Sequence, residues 1–209
     1  MRPETRRGQL GFTLIELMLA LTIVATLLAV TFAGLRVGLG AWRRGEDRAE
    51  AQQHVRSLFS VLARTVGGAY PYQAAPGPDN TQPVILFQGE SDRVALVTTM
   101  PPFPLPVPAA FAAVTLAMED AEPPGLAVRQ KLLPNDDPFE ALRPLLLDVA
   151  VTAARFRYLR AGGAWEERWD AVAEQALPRA VEISLTTRLD GRTIDHPPVT
   201  IAIPVGGAP

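Results

Sequence analysis

One carboxylate stands where a carboxylate is costly. Glu16 is the only charged residue in positions 12–35, a run of 24 residues reading FTLIELMLALTIVATLLAVTFAGL. Inside a bilayer an ionised carboxyl costs at least a few kcal/mol, so it needs either an exit to water or a partner. Close to the membrane surface the side chain would snorkel to water. Deeper in, it would need a cation. The chain offers none within the span, so the cation would come from another molecule or from a newly made N-terminus. An α-amino group at Phe12, created by cutting after Gly11, would lie one helical turn from Glu16 or face it across a helix–helix contact.

The other reactive side chains form no machinery. There is no cysteine, which removes disulfides, thiolate metal sites and cysteine nucleophiles. Two histidines, His54 and His196, are too few for a histidine-rich metal site. His54 shares a helix with Ser57 and Ser60 but lacks a glycine-elbow context, and reads as a surface histidine. Asp190, Asp195 and His196 fall in a turn and a strand with no nucleophile beside them. The acidic loop of Asn135, Asp136, Asp137 and Glu140 has oxygens that suit Ca²⁺, but its spacing matches no EF-hand, and it reads as a solvated turn. No P-loop or dinucleotide fingerprint occurs. Catalytic residues, metal and cofactor are therefore all expected to be absent. A formal charge of −2, a pI near 5.7 and no basic face argue against nucleic acid as a partner.

The elements that position Glu16 follow from where proline falls. Of 20 prolines in 209 residues, Pro3 alone precedes position 71. Proline costs a helix interior about 3 kcal/mol, so this distribution marks a change of architecture near Gly67 and Gly68. Residues 1–11 are a short basic leader carrying Arg2, Arg6 and Arg7. Residues 12–35 are long and apolar enough to cross a membrane, and too long for the apolar core of an ordinary secretory signal. Residues 36–67 continue the helix. There Val55, Leu58, Phe59, Leu62 and Val66 recur on one face, with Arg56, Ser57, Ser60 and Arg64 on the other. Arginines flank the span on both sides, so charge counting leaves its orientation open.

A basic leader ending in glycine, followed by Phe12-Thr13-Leu14-Ile15-Glu16 opening a long apolar helix, resembles the class III signal of type IV pilins and type II secretion pseudopilins. The resemblance implies that a prepilin peptidase cuts between Gly11 and Phe12 on the cytoplasmic side and methylates the Phe12 amine. It also implies that Glu16 pairs with a neighbouring subunit's N-terminus during assembly. Orientation would follow: leader inside, single pass through the inner membrane, remainder in the periplasm.

Residues 68–83 read as a linker and 84–209 as an antiparallel β-rich domain. Strand-like runs at 84–88 and 93–99, 114–118 and 126–133, 149–159 and 164–169, and 180–189 and 192–203 suggest four successive hairpins in one sheet of seven or eight strands. In the third hairpin Phe156 and Tyr158 share a face, with Arg155 and Arg157 opposite. On its partner strand Trp165 and Trp169 are expected on one face, as core or as a sugar-stacking surface. The proline ladder at 101–108 suggests a polyproline II loop over a sheet edge. The fold class is thus α+β, a long N-terminal helix packed on an antiparallel sheet. The run FRYLRAGGAWEERW, with LPRAVEI at 177–183, is similar to the C-terminal region of J-type minor pseudopilins. This resemblance implies a structural subunit at the tip of a periplasmic pseudopilus, joined by other minor and major pseudopilins. The alternatives are a minor pilin of a type IV pilus or DNA-uptake system, and an uncleaved membrane-anchored periplasmic enzyme or binding protein.

Overall fold

A proline-free stretch and a proline-rich one build different things. The computed structural model describes residues 12–74, 83–140, 143–189 and 191–204. The leader with Gly11, part of the linker, and Asp190 therefore lie outside the described residues. One helix, α1 (Leu14–Gly67), runs through the proline-free part without interruption at Gly34, Gly38, Gly40 or Gly45. The described residues divide between Gln52 and Gln53 into two units.

In the first unit no residue of the apolar stretch Leu14–Trp42 is buried. Its threonines need no outside partner. The hydroxyls of Thr22, Thr26 and Thr31 donate to the carbonyls of Leu19, Thr22 and Leu27 at 2.7–2.8 Å. A helix that bonds its own polar groups in this way is compatible with hydrocarbon.

In the second unit α1 turns its apolar stripe inward, with Leu58, Leu62 and Val66 buried and Phe59 half-buried. It stops where the chain must cross a strand closely. A Cβ on Gly68 would sit 2.8 Å from the Thr98 hydroxyl and 2.9 Å from the Met100 Cβ.

Two short strands, β1 (Gln73–Ala74) and β2 (Val84–Ile85), pair with each other. Then follow β3 (Phe87–Gly89), β4 (Arg93–Thr98), β5 (Ala112–Glu119), β6 (Gly125–Leu132), β7 (Leu146–Asp148) and β8 (Val151–Leu159). After them come β9 (Trp165–Glu166), β10 (Trp169–Asp170), a single turn α2 (Ala171–Glu174), β11 (Ala180–Leu189), β12 (Arg192–Asp195) and β13 (Val199–Ala202). All pairings are antiparallel, and the fold is α+β. The strands form two main sheets rather than the single sheet expected. One runs β10-β3-β4-β5-β6-β7. The other runs β9-β8-β11, with β12 and β13 both on the far side of β11. The physical reason is burial. Leu96, Val114, Leu116 and Val128 of the first sheet share one core with Phe156, Ile183 and Leu185 of the second and with α1, and a lone sheet would leave one such face wet.

Three expected strands are broken. Residues 84–88 split at Leu86, whose N–H donates to the Tyr72 carbonyl, so β2 and β3 join different sheets. Residues 164–169 split so that Trp165 pairs back on β8 while Trp169 pairs with Gly89 of β3. The two tryptophans therefore share no face. Trp169 is buried, its indole N–H donating to the Ala176 carbonyl at 3.0 Å, and Trp165 lies under the Arg157 guanidinium. Residues 192–203 are cut by Pro197 and Pro198, which cannot donate to a ladder.

The proline ladder is held from β6 beyond Val128, where the pairing with β7 ends. The Gln130 amide of β6 binds both main-chain groups of Phe103. The Phe103 N–H donates to Oε1 and Nε2 donates to the Phe103 carbonyl, each at 3.1 Å. The ring of Phe103 packs on the main core, while Pro104, Pro106, Val107 and Pro108 stay exposed.

Candidate processing and assembly site

Thr13 and Glu16 make a reciprocal pair at the start of α1. The Thr13 N–H and hydroxyl both donate to Glu16 Oε2 at 3.1 Å, and the Glu16 N–H donates to the Thr13 hydroxyl at 3.3 Å. This is a capping box. The first turn of a helix has unsatisfied N–H groups, and a Thr-x-x-Glu sequence satisfies two of them at once. The carboxylate also lies at the positive end of the helix dipole. Helix geometry thus begins at Leu14, and Phe12 stands outside it with an 87% exposed side chain.

The structure therefore places Glu16 beside the residue that follows Phe12. Its partner in the described residues is Thr13 rather than a cation. Thr13 is the residue that sequence reading passed over. The signal was present as the T-x-x-E spacing of residues 13–16. Replacing Thr13 by valine keeps the shape and removes the hydroxyl. It is expected to destabilise the first turn by about 1 kcal/mol, seen as faster amide exchange at Leu14, Ile15 and Glu16 in detergent micelles. Unchanged exchange there would count against the capping role.

The remaining candidates are structural. His54 is more than a surface histidine: its Nε2 lies 2.8 Å from Oδ2 of buried Asp148, whose other oxygen accepts from the Ala150 N–H. His196 meets the Thr187 hydroxyl at 2.8 Å and packs nearly at right angles to the Phe59 ring, with the centroids 6.0 Å apart. Both histidines therefore tie α1 to the sheets. Ser57 and Ser60 lie on the exposed side of α1. In the acidic loop the Asn135 side chain accepts from the Asp137 N–H, and Lys131 donates to the Asp137 carbonyl, which is turn chemistry. Arg129 pairs with Glu119, and burial together with neighbouring Arg93 holds its guanidinium below the usual range. A cleft of about 300 Å³ between β2 and α2, lined by Gln73, Ile85, Val172 and Gln175, presents no ionisable side chain among the described residues.

Comparison with known proteins decides among the pilin-like readings. Residues 33–195 match the family described as type II secretion system protein J. The chain belongs to that family. Residues 6–32 match the prokaryotic N-terminal methylation motif, which brackets Gly11, Phe12 and Glu16. A type II secretion system protein J of Xanthomonas campestris pv. campestris is 28% identical over 216 residues, covering 99% of this chain and 97% of the relative. Family membership makes the chain a minor pseudopilin of type II secretion, a membrane-anchored structural subunit that assembles with other pseudopilins. It sets aside the type IV pilus reading, which the anchor alone could not distinguish.

Proposed function

We propose that this pseudopilin is made with residues 1–11 as a cytoplasmic leader, cut by prepilin peptidase between Gly11 and Phe12, and methylated on the new Phe12 amine. Its β-rich domain stands in the periplasm, held by a single pass through the inner membrane. There it joins other minor and major pseudopilins at the tip of the pseudopilus, with Glu16 answering a neighbour's N-terminal amine. It performs no catalysis of its own and needs no cofactor. The observation that supports this reading most directly is the methylation motif lying on the anchor of a chain that otherwise matches protein J. Phe12 lies outside the helix and is exposed, so it is not tied into the helix ladder.

Intact mass of the membrane-purified protein tests it. Cells that hold the peptidase should yield a chain beginning at methylated Phe12. Removing Arg2, Arg6, Arg7 and Glu4 takes the side-chain charge from −2 to −4. Gly11→Ala should slow the cut and a larger residue should slow it further. A chain that keeps residues 1–11 beside an active peptidase refutes the proposal.

A further inference from the structure

The apolar part of α1 is too long for the bilayer it enters. Leu14–Trp42 comprises 29 residues, or about 44 Å at 1.5 Å per residue, against a hydrocarbon core of about 30 Å. Tilting by about 40°, the upper end of what is usual, still leaves the projected length a few Å too great. Some of the run must lie outside the hydrocarbon. The charges decide which part. Arg36 follows Glu16 by 20 residues, about 30 Å along the helix axis, and residues 17–35 between them carry no charge. Only the register with Glu16 at one boundary and Arg36 at the other keeps both charges out of the hydrocarbon. A slide of six residues in one direction would bury Arg36 about 9 Å deep, and the opposite slide would bury Glu16.

In that register Val37, Leu39 and Trp42 lie beyond the core, yet they are apolar and 70%, 53% and 71% exposed. Leu35, Leu39 and Trp42 fall at i, i+4 and i+7 on one face, and Glu46 continues that face at i+11. A helical side chain leans toward the helix N-terminus, so the Trp42 ring leans back toward the bilayer. Its indole N–H donates to Glu46 Oε1, one turn farther out, at 2.6 Å. The ring thus has an apolar body on the membrane side and a polar tip held on the water side. That arrangement suits a headgroup layer.

We infer that residues 37–42 form a lipid-contacting collar, with Trp42 seated among the phospholipid headgroups of the leaflet on the C-terminal side of the span and Arg36 fixing its depth. The inference rests on the reading of this chain as membrane-anchored. The occupant is lipid rather than a second protein helix, because the face passes from leucine through tryptophan to a carboxylate over the distance in which a bilayer passes from hydrocarbon to water.

The test uses the full chain in vesicles of phosphatidylethanolamine and phosphatidylglycerol, with quenching spin labels on either the headgroup or the distal acyl chain. The difference between wild type and Trp42→Phe isolates the emission of Trp42 from that of Trp165 and Trp169. The expected result is blue-shifted Trp42 emission, quenched several-fold more by the headgroup label than by the deep one. Arg36→Leu is expected to move the balance toward the deep label. A protein that floats with vesicles but whose Trp42 neither label quenches overturns the collar. Stronger quenching from the deep label, or no change with Arg36→Leu, overturns the register. A blue shift that appears only when partner pseudopilins are added assigns the face to protein and overturns the lipid assignment. Failure to float at all refutes the anchor itself, and the collar falls with it.

Discussion

Glu16→Ala is expected to give an anchor that inserts at least as well as wild type and is still cut, yet no longer joins the other pseudopilins. The substitution removes a carboxylate from the edge of the span and adds no charge to it, so insertion should not suffer. What it takes away is the counter-ion for an N-terminal amine, an attraction worth more at a helix–helix contact that excludes water than in water itself. The capping box adds a second consequence. The same substitution leaves the Thr13 N–H without an acceptor, so the first turn should loosen as well. Glu16→Gln separates the two effects, because its amide oxygen can still accept from Thr13 while the charge is gone. If charge pairing drives assembly, both variants fail to co-purify with partner subunits. If the cap alone matters, Glu16→Gln assembles. Assembly of Glu16→Ala at the wild-type level would show that pairing is not required in this subunit.

Gly89→Ala should be among the most damaging single-methyl additions to the β-rich unit. A Cβ at that position would sit 2.3 Å from the Tyr158 ring, so ring or strand must shift. Tyr158 is fully buried, meets Phe87 edge-on, and its hydroxyl donates to the carbonyls of Glu90 and Arg93 at 2.8 and 3.1 Å. Overpacking of this kind costs about 3 kcal/mol, measured as a shift in denaturant midpoint for a fragment beginning at Gln53, where the β-rich unit starts. Coupling is the sharper test. In a Tyr158→Ala background the ring is gone, so Gly89→Ala should cost well under 1 kcal/mol. Equal costs in both backgrounds would show that the ring is not the obstacle. The same burial pushes the Tyr158 hydroxyl up, well above the ordinary tyrosine range. Its neutral form is therefore favoured in the folded state. The stability it contributes is complete below about pH 10 and should be lost as pH rises beyond that.

Local chemistry was legible in the sequence, and the identity of each strand's neighbour was not. The long helix could be read because a proline-free apolar run has few other outcomes. β11 could be read to its ends because Val181, Ile183, Leu185 and Thr187 alternate inward along it. The second sheet was hidden for a physical reason. Alternation says that a strand has one wet and one dry face, but not which other dry face it meets. Trp165 and Trp169 illustrate this, since identical side chains four residues apart serve different sheets once Trp169 finds Gly89. β7 escaped notice because Leu145, Leu146 and Leu147 do not alternate and follow a proline. The break at Pro197 and Pro198 was visible, and a strand read through two prolines ignores the donors they lack. The tie between His54 and Asp148 joins residues 94 apart and left no local mark.

The bond pair between Gln130 and Phe103 bears on how this subunit can vary over generations. A loop that crosses a sheet face normally needs an acceptor or donor at each main-chain group it covers. Here one primary amide serves a single residue as a neighbouring strand would. The prolines around it have no N–H to lose. Substitutions at exposed Pro106, Val107 and Pro108 are then expected to leave the ladder beneath undisturbed. The exposed residues of 104–110 are therefore where a change of sequence is expected to cost the interior of the domain least.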